Sequence, residues 1–465
     1  MTLQFQTKHR CWYRLQKIYL LQRRQVTYLN QAAHKHITMQ SETKPVATKF
    51  SSYQVLVIVL LALTQFTVVL DFMVMNPLGD MLTKSMSLGQ DQFGIVVAAY
   101  AFSAFISGVL TAGFADRFDR KKLLLFFYIG FILGTLFCGL ATTYPMLVLA
   151  RIVTGLFGGV IGSISLAIMA DLFDLNQRGR VMGFIQMGFG ASQVLGIPIS
   201  LLIANFWDWE APFFMIVGLS AIICVLIFVK MKPVTKHLEI KNDRNALLHL
   251  WLTVKNRNYR SGFLAVALLS LGGFMMMPWG SAYAVNNLGV SHENLTWLFM
   301  VAGVSTLLIM PVFGKLSDRY SKVNMFAFAC IWLIVVVLIY TNLPVLPLWV
   351  IMIFNVSMMI GIMGRMVPSQ ALISGLPEMR DRGAFMSVYS SLQYLTGGIA
   401  ATIGGMIIVQ ETKTSPIEHY NTVGYIVSAI SLISIFAMIR VNQLIKRRNL
   451  GQAAAVKQPV IDEVI

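Results

Sequence analysis

Long apolar runs, each of about 20 residues, fill most of the sequence and are separated by short polar loops. Hydrophobic residues make up 56% of the chain and charged residues 12%, whereas soluble domains carry about 25% charged residues. So few charges cannot cover a water-soluble surface over 465 residues. Runs of this length match the hydrocarbon core of a bilayer, where a helix satisfies its own backbone hydrogen bonds. The sequence therefore predicts an all-α membrane protein, and the unbroken runs argue against a β-barrel.

Twelve such runs predict twelve transmembrane helices. They lie near residues 53–76, 92–113, 123–143, 146–170, 181–204, 212–230, 261–285, 295–314, 323–342, 346–373, 384–409 and 421–440. The seventh run is interrupted by Gly272, Gly273, Pro278 and Gly280. We interpret it as a helix that bends where it lines a cavity, since broken helices are tolerated there.

The loop charges predict the orientation of these spans. With the N-terminus inside, 33 of the 37 Lys and Arg residues fall on the cytoplasmic side. Lys84 and Lys413 fall on the opposite side, and Arg151 and Arg365 lie within spans. We therefore predict a multi-pass protein of the cell inner membrane with both termini cytoplasmic. The net charge of +17 then reflects topology and attraction to anionic lipids, which argues against nucleic-acid binding.

Two landmarks recur at nearly the same offset, which predicts two related halves of six spans each. They are the Asp-Arg pairs Asp116-Arg117 and Asp318-Arg319, which are 202 residues apart, and the arginines Arg178 and Arg382, which are 204 residues apart. Repeats of this kind are common in transporters, whose substrate site lies between the repeats.

The predicted organisation places one six-helix bundle at residues 51–231 and the other at 261–445. A charged stretch at 232–260 forms a cytoplasmic linker, and 446–465 forms a cytoplasmic tail. Residues 1–50 are basic and are either an interfacial amphipathic helix or, for 1–38, sequence upstream of a true start at Met39. They lack the pattern of a cleavable signal peptide.

The short loops that carry the Asp-Arg pairs bring helix ends close together, where an Asp can accept hydrogen bonds from a helix N-terminus. Such contacts can stabilise one of two bundle arrangements by roughly 1–3 kcal/mol. We predict a conformational latch, although the basic residues could also serve only to set topology. The latch residues are Asp116, Arg117, Arg120, Asp318, Arg319, Arg178 and Arg382.

Residues 112–121 and 314–322 resemble the loop motif G-x-L-A-D-R-x-G-R-K of the major facilitator superfamily. The first copy departs from it at Ala112 and Asp119, where the motif has Gly. The fourth span begins Arg151-Ile-Val-Thr-Gly155, which resembles the R-x-x-x-G motif of that superfamily.

The glycine-rich fifth span resembles a motif of the proton-linked antiporters, with its Pro displaced and its Gly pair missing. The resemblance is nearest to the twelve-span drug:proton antiporters and sugar-efflux permeases. It implies two pseudo-symmetric six-helix bundles, and it implies helix-packing roles for Gly155, Gly188, Gly196 and Pro198.

Ionisable residues inside spans are expensive and are functional candidates by default. Asp71 and Arg151 lie at similar depth in the first and fourth spans, so an ion pair between them is feasible. Burial favours the neutral form of a carboxyl group and a nearby Arg favours the charged form, so Asp71 could exchange a proton between conformations. The resemblance implies the same proton-coupling role. A static ion pair, or an Asp71 that contacts water at the headgroups, would be the structural alternative.

Arg365 in the tenth span is a candidate for substrate binding. It could attract an anionic substrate, pair with Asp71 in one state, or simply extend to the membrane interface.

Enzymatic and metal-dependent functions are not supported by the sequence. It lacks a phosphate-binding G-x-x-x-x-G-K-[ST] loop, and its seven His and four Cys residues form no metal-ligand pattern. We predict no cofactor and no metal.

The predicted function is a monomeric secondary transporter that exports a small drug-like or sugar-like solute in exchange for protons. Its partners would be the solute, protons and the lipid bilayer. The alternatives are an importer of a small metabolite and a membrane sensor that does not transport.

Overall fold

The structure is a computed structural model, and it describes residues 50–111, 118–173, 175–235, 238, 246–378, 381–412 and 415–457. Ser52–Ile465 form one compact unit. All of the contacts below lie within this unit.

All twelve predicted spans are helical in the described residues, which confirms the all-α membrane fold. Spans 1 to 6 are Ser52–Met86, Gln90–Thr111, Arg120–Gly139, Tyr144–Leu172, Leu175–Phe206 and Ala211–Lys230. Spans 7 to 12 are Arg257–Asn286, His292–Arg319, Lys322–Tyr340, Leu348–Ile373, Arg382–Ile407 and Tyr420–Lys457. Eleven of them are long and apolar enough to cross a bilayer. Span 11 is also long, with 26 residues, but it is less apolar because it contains several Ser, Thr, Gln and Gly residues.

Two spans are interrupted where Pro and Gly occur. Span 5 passes through a π-helical turn, Ser192–Gly196, immediately before Pro198, whose missing N–H breaks the regular hydrogen-bond ladder. Span 7 stops at Phe274, makes a 3₁₀ turn at Met277–Trp279 and resumes at Gly280. The bend predicted for the seventh run is therefore present.

The helix contacts repeat with a shift of six spans. In the N-terminal half, span 2 packs on span 4, span 3 on spans 4 and 6, and span 1 on spans 5 and 6. In the C-terminal half, span 8 packs on span 10, span 9 on spans 10 and 12, and span 7 on spans 11 and 12. Span 2 packs on span 11 and span 5 on span 8, which joins the halves through two related contacts. The structure thus has the predicted pseudo-symmetry.

Small residues let the helices of the N-terminal half approach closely. A Cβ on Gly155 of span 4 would collide with Ser103 of span 2 and lie 2.9 Å from Cα of Tyr100. Gly188 and Gly196 of span 5 face span 1 in the same way, against Ala62 and Leu70. Lipid provides no hydrophobic driving force between helices, so the close packing that small residues allow stabilises such crossings instead.

Gly155→Val should destabilise the protein by about 1–3 kcal/mol, because the added side chain must push span 4 away from span 2. Gly218→Val is the matched control, since a Cβ there meets no atom within 4 Å. Thermal unfolding midpoints in detergent would measure both, and equal midpoints would contradict the packing role of Gly155.

The stretch 232–260, which the sequence predicts as a linker, contains a helix that its polar composition did not indicate. Ala246–Lys255 is helical, and the first helix of span 7 begins at Arg257, capped by the side chain of Asn256.

Candidate functional site

Asp71 and Arg151 form an ion pair in the interior of the N-terminal half. Nη1 of Arg151 donates a hydrogen bond of 2.9 Å to Oδ2 of Asp71, and both side chains are fully buried. The hydroxyl of Thr135 donates to Oδ1 of Asp71 over 3.1 Å. The site therefore combines residues of spans 1, 3 and 4, and both carboxylate oxygens have a donor.

The guanidinium of Arg151 has a second, weaker partner. Its central carbon lies 4.7 Å from the ring centre of Tyr100 in span 2, a cation–π distance. Its Nε and Nη2 atoms are buried and have no hydrogen-bond partner among the described residues. An unsatisfied buried donor costs about 1–3 kcal/mol, so Arg151 keeps an unmet capacity for another acceptor.

An aromatic cluster connects this site with the C-terminal half. Tyr100 contacts Phe72 at 5.2 Å and Tyr394 of span 11 at 6.5 Å between ring centres. Phe72 contacts Phe274, the last residue before the bend in span 7, at 5.6 Å. The ion pair is therefore linked, through Tyr100 and Phe72, to residues of the other half.

Arg365 is buried in span 10. A Cβ atom placed on Gly272 would lie 3.7 Å from Nη1 of Arg365, and one placed on Gly273 would lie 3.8 Å from Nη2. The guanidinium therefore lies beside the end of the first helix of span 7. It does not pair with Asp71, whose oxygens contact Arg151 and Thr135.

The predicted latch is described only in part. Asp116 and Arg117 lie outside the described residues, as do the side chains of Arg178, Asp318 and Arg382. Arg319 is exposed at the end of span 8.

Arg120 and its neighbour Asp119 tie the start of span 3 to other parts of the N-terminal half. Nε of Arg120 lies 3.4 Å from Oδ2 of Asp171, near the end of span 4. Oδ1 of Asp119 accepts hydrogen bonds from the backbone N–H groups of Lys121 and Val234. The latch itself stays a prediction.

A polar cluster that the sequence pattern did not predict joins the two halves at the other end of the spans. Asp80 of span 1 is almost fully buried and accepts hydrogen bonds from Lys84 over 2.8 Å and from Asn286 of span 7 over 2.6 Å. Lys84 also donates to Asn286 over 3.1 Å, and Nε2 of His292 in span 8 lies 3.4 Å from Asp80. We call these four residues the Asp80 cluster. Its detectable sequence signal was the i,i+4 pair of Asp80 and Lys84.

Further contacts close the same end. The hydroxyl of Ser281 in span 7 donates to the carbonyl of Asn76 in span 1 over 2.6 Å. Gln90 of span 2 donates to the side-chain carbonyl of Gln410 over 2.7 Å.

Comparisons with known proteins agree with this architecture. The family model of the Major Facilitator Superfamily matches residues 61–401 and 262–462. A "Probable sugar efflux transporter" of Helicobacter pylori (strain ATCC 700392 / 26695) is 23% identical over 76% of this chain and 87% of its own length. An "Uncharacterized MFS-type transporter YbcL" of Bacillus subtilis (strain 168) is 22% identical over 82% of this chain and 95% of its own length.

Two solved structures share the fold. A bacterial homolog of the human lysosomal transporter Spinster, in an inward-facing and unoccupied conformation, has a TM-score of 0.67 and 15% identity. It covers 86% of this chain and 99% of its own. A D-xylose-proton symporter has a TM-score of 0.69 and 16% identity, and covers 83% of this chain and 97% of its own.

Proposed function

Because this chain belongs to the Major Facilitator Superfamily, we propose that it exports a small drug-like or sugar-like solute in exchange for protons. The observation that carries the proposal is the enclosed pair of Asp71 and Arg151, the kind of buried charge that marks proton pathways in membrane proteins. The relatives named as sugar efflux transporters support the direction and the solute class.

Proton exchange at Asp71 gives the pair two states. Charged Asp71 attracts Arg151, and the hydrogen bonds from Arg151 and Thr135 stabilise the charge. A proton on Asp71 removes that attraction and leaves a buried, uncompensated cation at Arg151, which is costly. The bundle then gains free energy from any rearrangement that brings Arg151 another acceptor or water.

The aromatic cluster couples this rearrangement of Arg151 to the C-terminal half. Tyr100 contacts both Arg151 and Tyr394, so displacement of the guanidinium changes the packing of span 2 against span 11. Rocking of the two halves about these contacts would expose the site to each side in turn, as in other transporters built from repeats.

The Asp80 cluster would stabilise the arrangement in which its end of the bundle is closed. Asp80→Asn should weaken that arrangement by about 1–3 kcal/mol, since Lys84 and His292 lose their charged partner. Ser281→Cys, in a background without the four native cysteines, reports opening through its rate of reaction with a membrane-impermeant maleimide. We expect roughly a 5- to 150-fold faster reaction in the Asp80→Asn protein.

Asp208→Asn is the matched control for this measurement, because Asp208 is exposed in the loop after span 5. If the Ser281→Cys reporter reacted with the maleimide equally fast in the Asp80→Asn and Asp208→Asn proteins, the closing role of the cluster would be contradicted.

The proposed setting is the cell inner membrane, with both termini cytoplasmic and the protein acting as a monomer. The distribution of Lys and Arg supports this orientation. It places the Asp80 cluster on the outer side and Arg120 on the cytoplasmic side.

The test is solute-driven proton movement in proteoliposomes that contain the pH dye pyranine. A solute from a panel of dyes, sugars and sugar anions is added outside, and the lumenal pH is followed with and without protein. Proton antiport raises the lumenal pH as the solute enters. A fall in pH would establish symport instead, entry without a pH change would indicate facilitated diffusion, and no entry of any solute would favour the sensor.

A further inference from the structure

Arg365 is a buried cation. It is 7% exposed and lies in the C-terminal half of the apolar span 10. Within the part of the chain that the structure describes, it donates no hydrogen bond and forms no ion pair. An unpaired charge at this depth is expensive, so its retention calls for a compensating role.

The surroundings of Arg365 leave its donors accessible. Gly272 and Gly273 present no side chain to its two terminal nitrogens. Its nitrogen atoms are not sealed in, in contrast to Nε and Nη2 of Arg151. The guanidinium therefore borders Gly272 and Gly273 with no side chain of these two residues between it and the helix backbone.

The backbone beside Arg365 favours a cation and lowers the cost of burying it. The first helix of span 7 ends at Phe274, so its carbonyl end, with a partial negative charge, lies next to the guanidinium. This compensation is partial, because a helix end carries roughly half a charge.

From this setting we infer that Arg365 binds an oxyanion of the transported solute, a carboxylate or a phosphate. A guanidinium offers a planar fork of donors that matches both groups. The inference rests on the proposed transport function and narrows its solute to an organic anion or to a solute with one anionic group. Phe274 and Phe72, which are partly buried and contact each other at the end of the same helix, would contact the rest of the molecule.

The first test is stability without solute. Arg365→Met should raise the thermal unfolding midpoint of the detergent-purified protein, because it removes an unpaired buried charge. Arg440→Met, at an exposed position of span 12, is the control and should change the midpoint little. A midpoint lowered by Arg365→Met would show that Arg365 is a structural residue and would overturn the inference.

The second test is binding, measured by tryptophan fluorescence and thermal shift with matched probes. They are D-glucose, D-glucuronate and D-glucose 6-phosphate, together with benzyl alcohol and benzoate. We expect at least one anion to bind the unmodified protein more tightly than its neutral counterpart. That preference should fall roughly 10- to 100-fold in Arg365→Gln and in part return in Arg365→Lys.

The arms of the binding test separate the two oxyanions, since a carboxylate site favours glucuronate or benzoate and a phosphate site favours glucose 6-phosphate. Equal binding of anions and neutral partners by the unmodified protein would overturn the inference. Because binding is measured without a pH gradient, that result leaves proton coupling through Asp71 intact, and a failure of coupling leaves the anion preference intact.

Discussion

Asp71→Asn should abolish proton-coupled solute movement in proteoliposomes while solute exchange continues. Asn keeps the shape of Asp, and its carbonyl oxygen can accept the hydrogen bond of Arg151 while its NH₂ group donates to the hydroxyl oxygen of Thr135. It cannot take up or release a proton, so the two states of the pair collapse into one.

Two flux measurements on the same proteoliposomes test this expectation. Uptake driven by an imposed pH gradient reports coupling, and counterflow of labelled against unlabelled solute reports alternating access without net proton movement. We expect the first to fall to the level of protein-free liposomes and the second to persist. Asp208→Asn, at an exposed loop position, should leave both unchanged.

Asp71→Glu separates charge from geometry. Glu restores a titratable group, but its extra methylene must fit into a site where Asp71 is fully buried. We expect slow but coupled transport from this variant. If the Asp71→Asn protein kept its proton-driven flux, Asp71 would be only a structural partner of Arg151, and another group would couple protons to transport.

The transmembrane architecture could be predicted from the sequence because the bilayer imposes strong local rules. Each span needs a long apolar run, and the loop charges keep those runs in register with the membrane. The bend in span 7 was also readable, since Gly272, Gly273, Pro278 and Gly280 interrupt one run. The linker helix Ala246–Lys255 was missed because a short helix beside charged residues gives no comparable signal.

The candidate site was predictable only where it carries charge. Asp71 and Arg151 stand out because ionisable residues are rare in apolar runs. Thr135 and Tyr100 complete the site, yet a Thr or a Tyr within a span is unremarkable in sequence. The hydroxyl and the ring become functional candidates only when the fold brings them to the pair.

The Asp80 cluster shows the same limit over a longer distance. Asp80 and Asn286 are separated by 206 residues and meet because span 1 contacts the resumed helix of span 7. No local pattern relates the two positions. Contacts between halves depend on how the bundles meet, which a single sequence does not encode in its periodicity.

Arg151→Met should be among the most destabilising substitutions in the protein. It removes the partner of a fully buried carboxylate and leaves Asp71 with the hydroxyl of Thr135. Breaking a buried pair on one side typically costs about 3–5 kcal/mol. The loss should be larger at about pH 8 than at about pH 5, because Asp71 can shed its charge by taking up a proton in acid.

A double-mutant cycle tests this through thermal unfolding midpoints in detergent. Asp71→Leu combined with Arg151→Met should recover most of the stability, since replacing both members of a buried pair with apolar residues is often neutral or stabilising. Arg440→Met controls for the loss of a positive charge at an exposed position. If Arg151→Met costs no more than Arg440→Met at either pH, the pair does not hold Asp71 in its charged form.

The cycle also distinguishes a coupling pair from a static one. A double variant that is stable but no longer moves solute in response to a pH gradient would show that the pair is kept for transport at the expense of stability. A double variant that is both stable and coupled would place proton exchange at another group. Stability and flux, measured on the same four proteins, therefore separate what the pair does for the fold from what it does for transport.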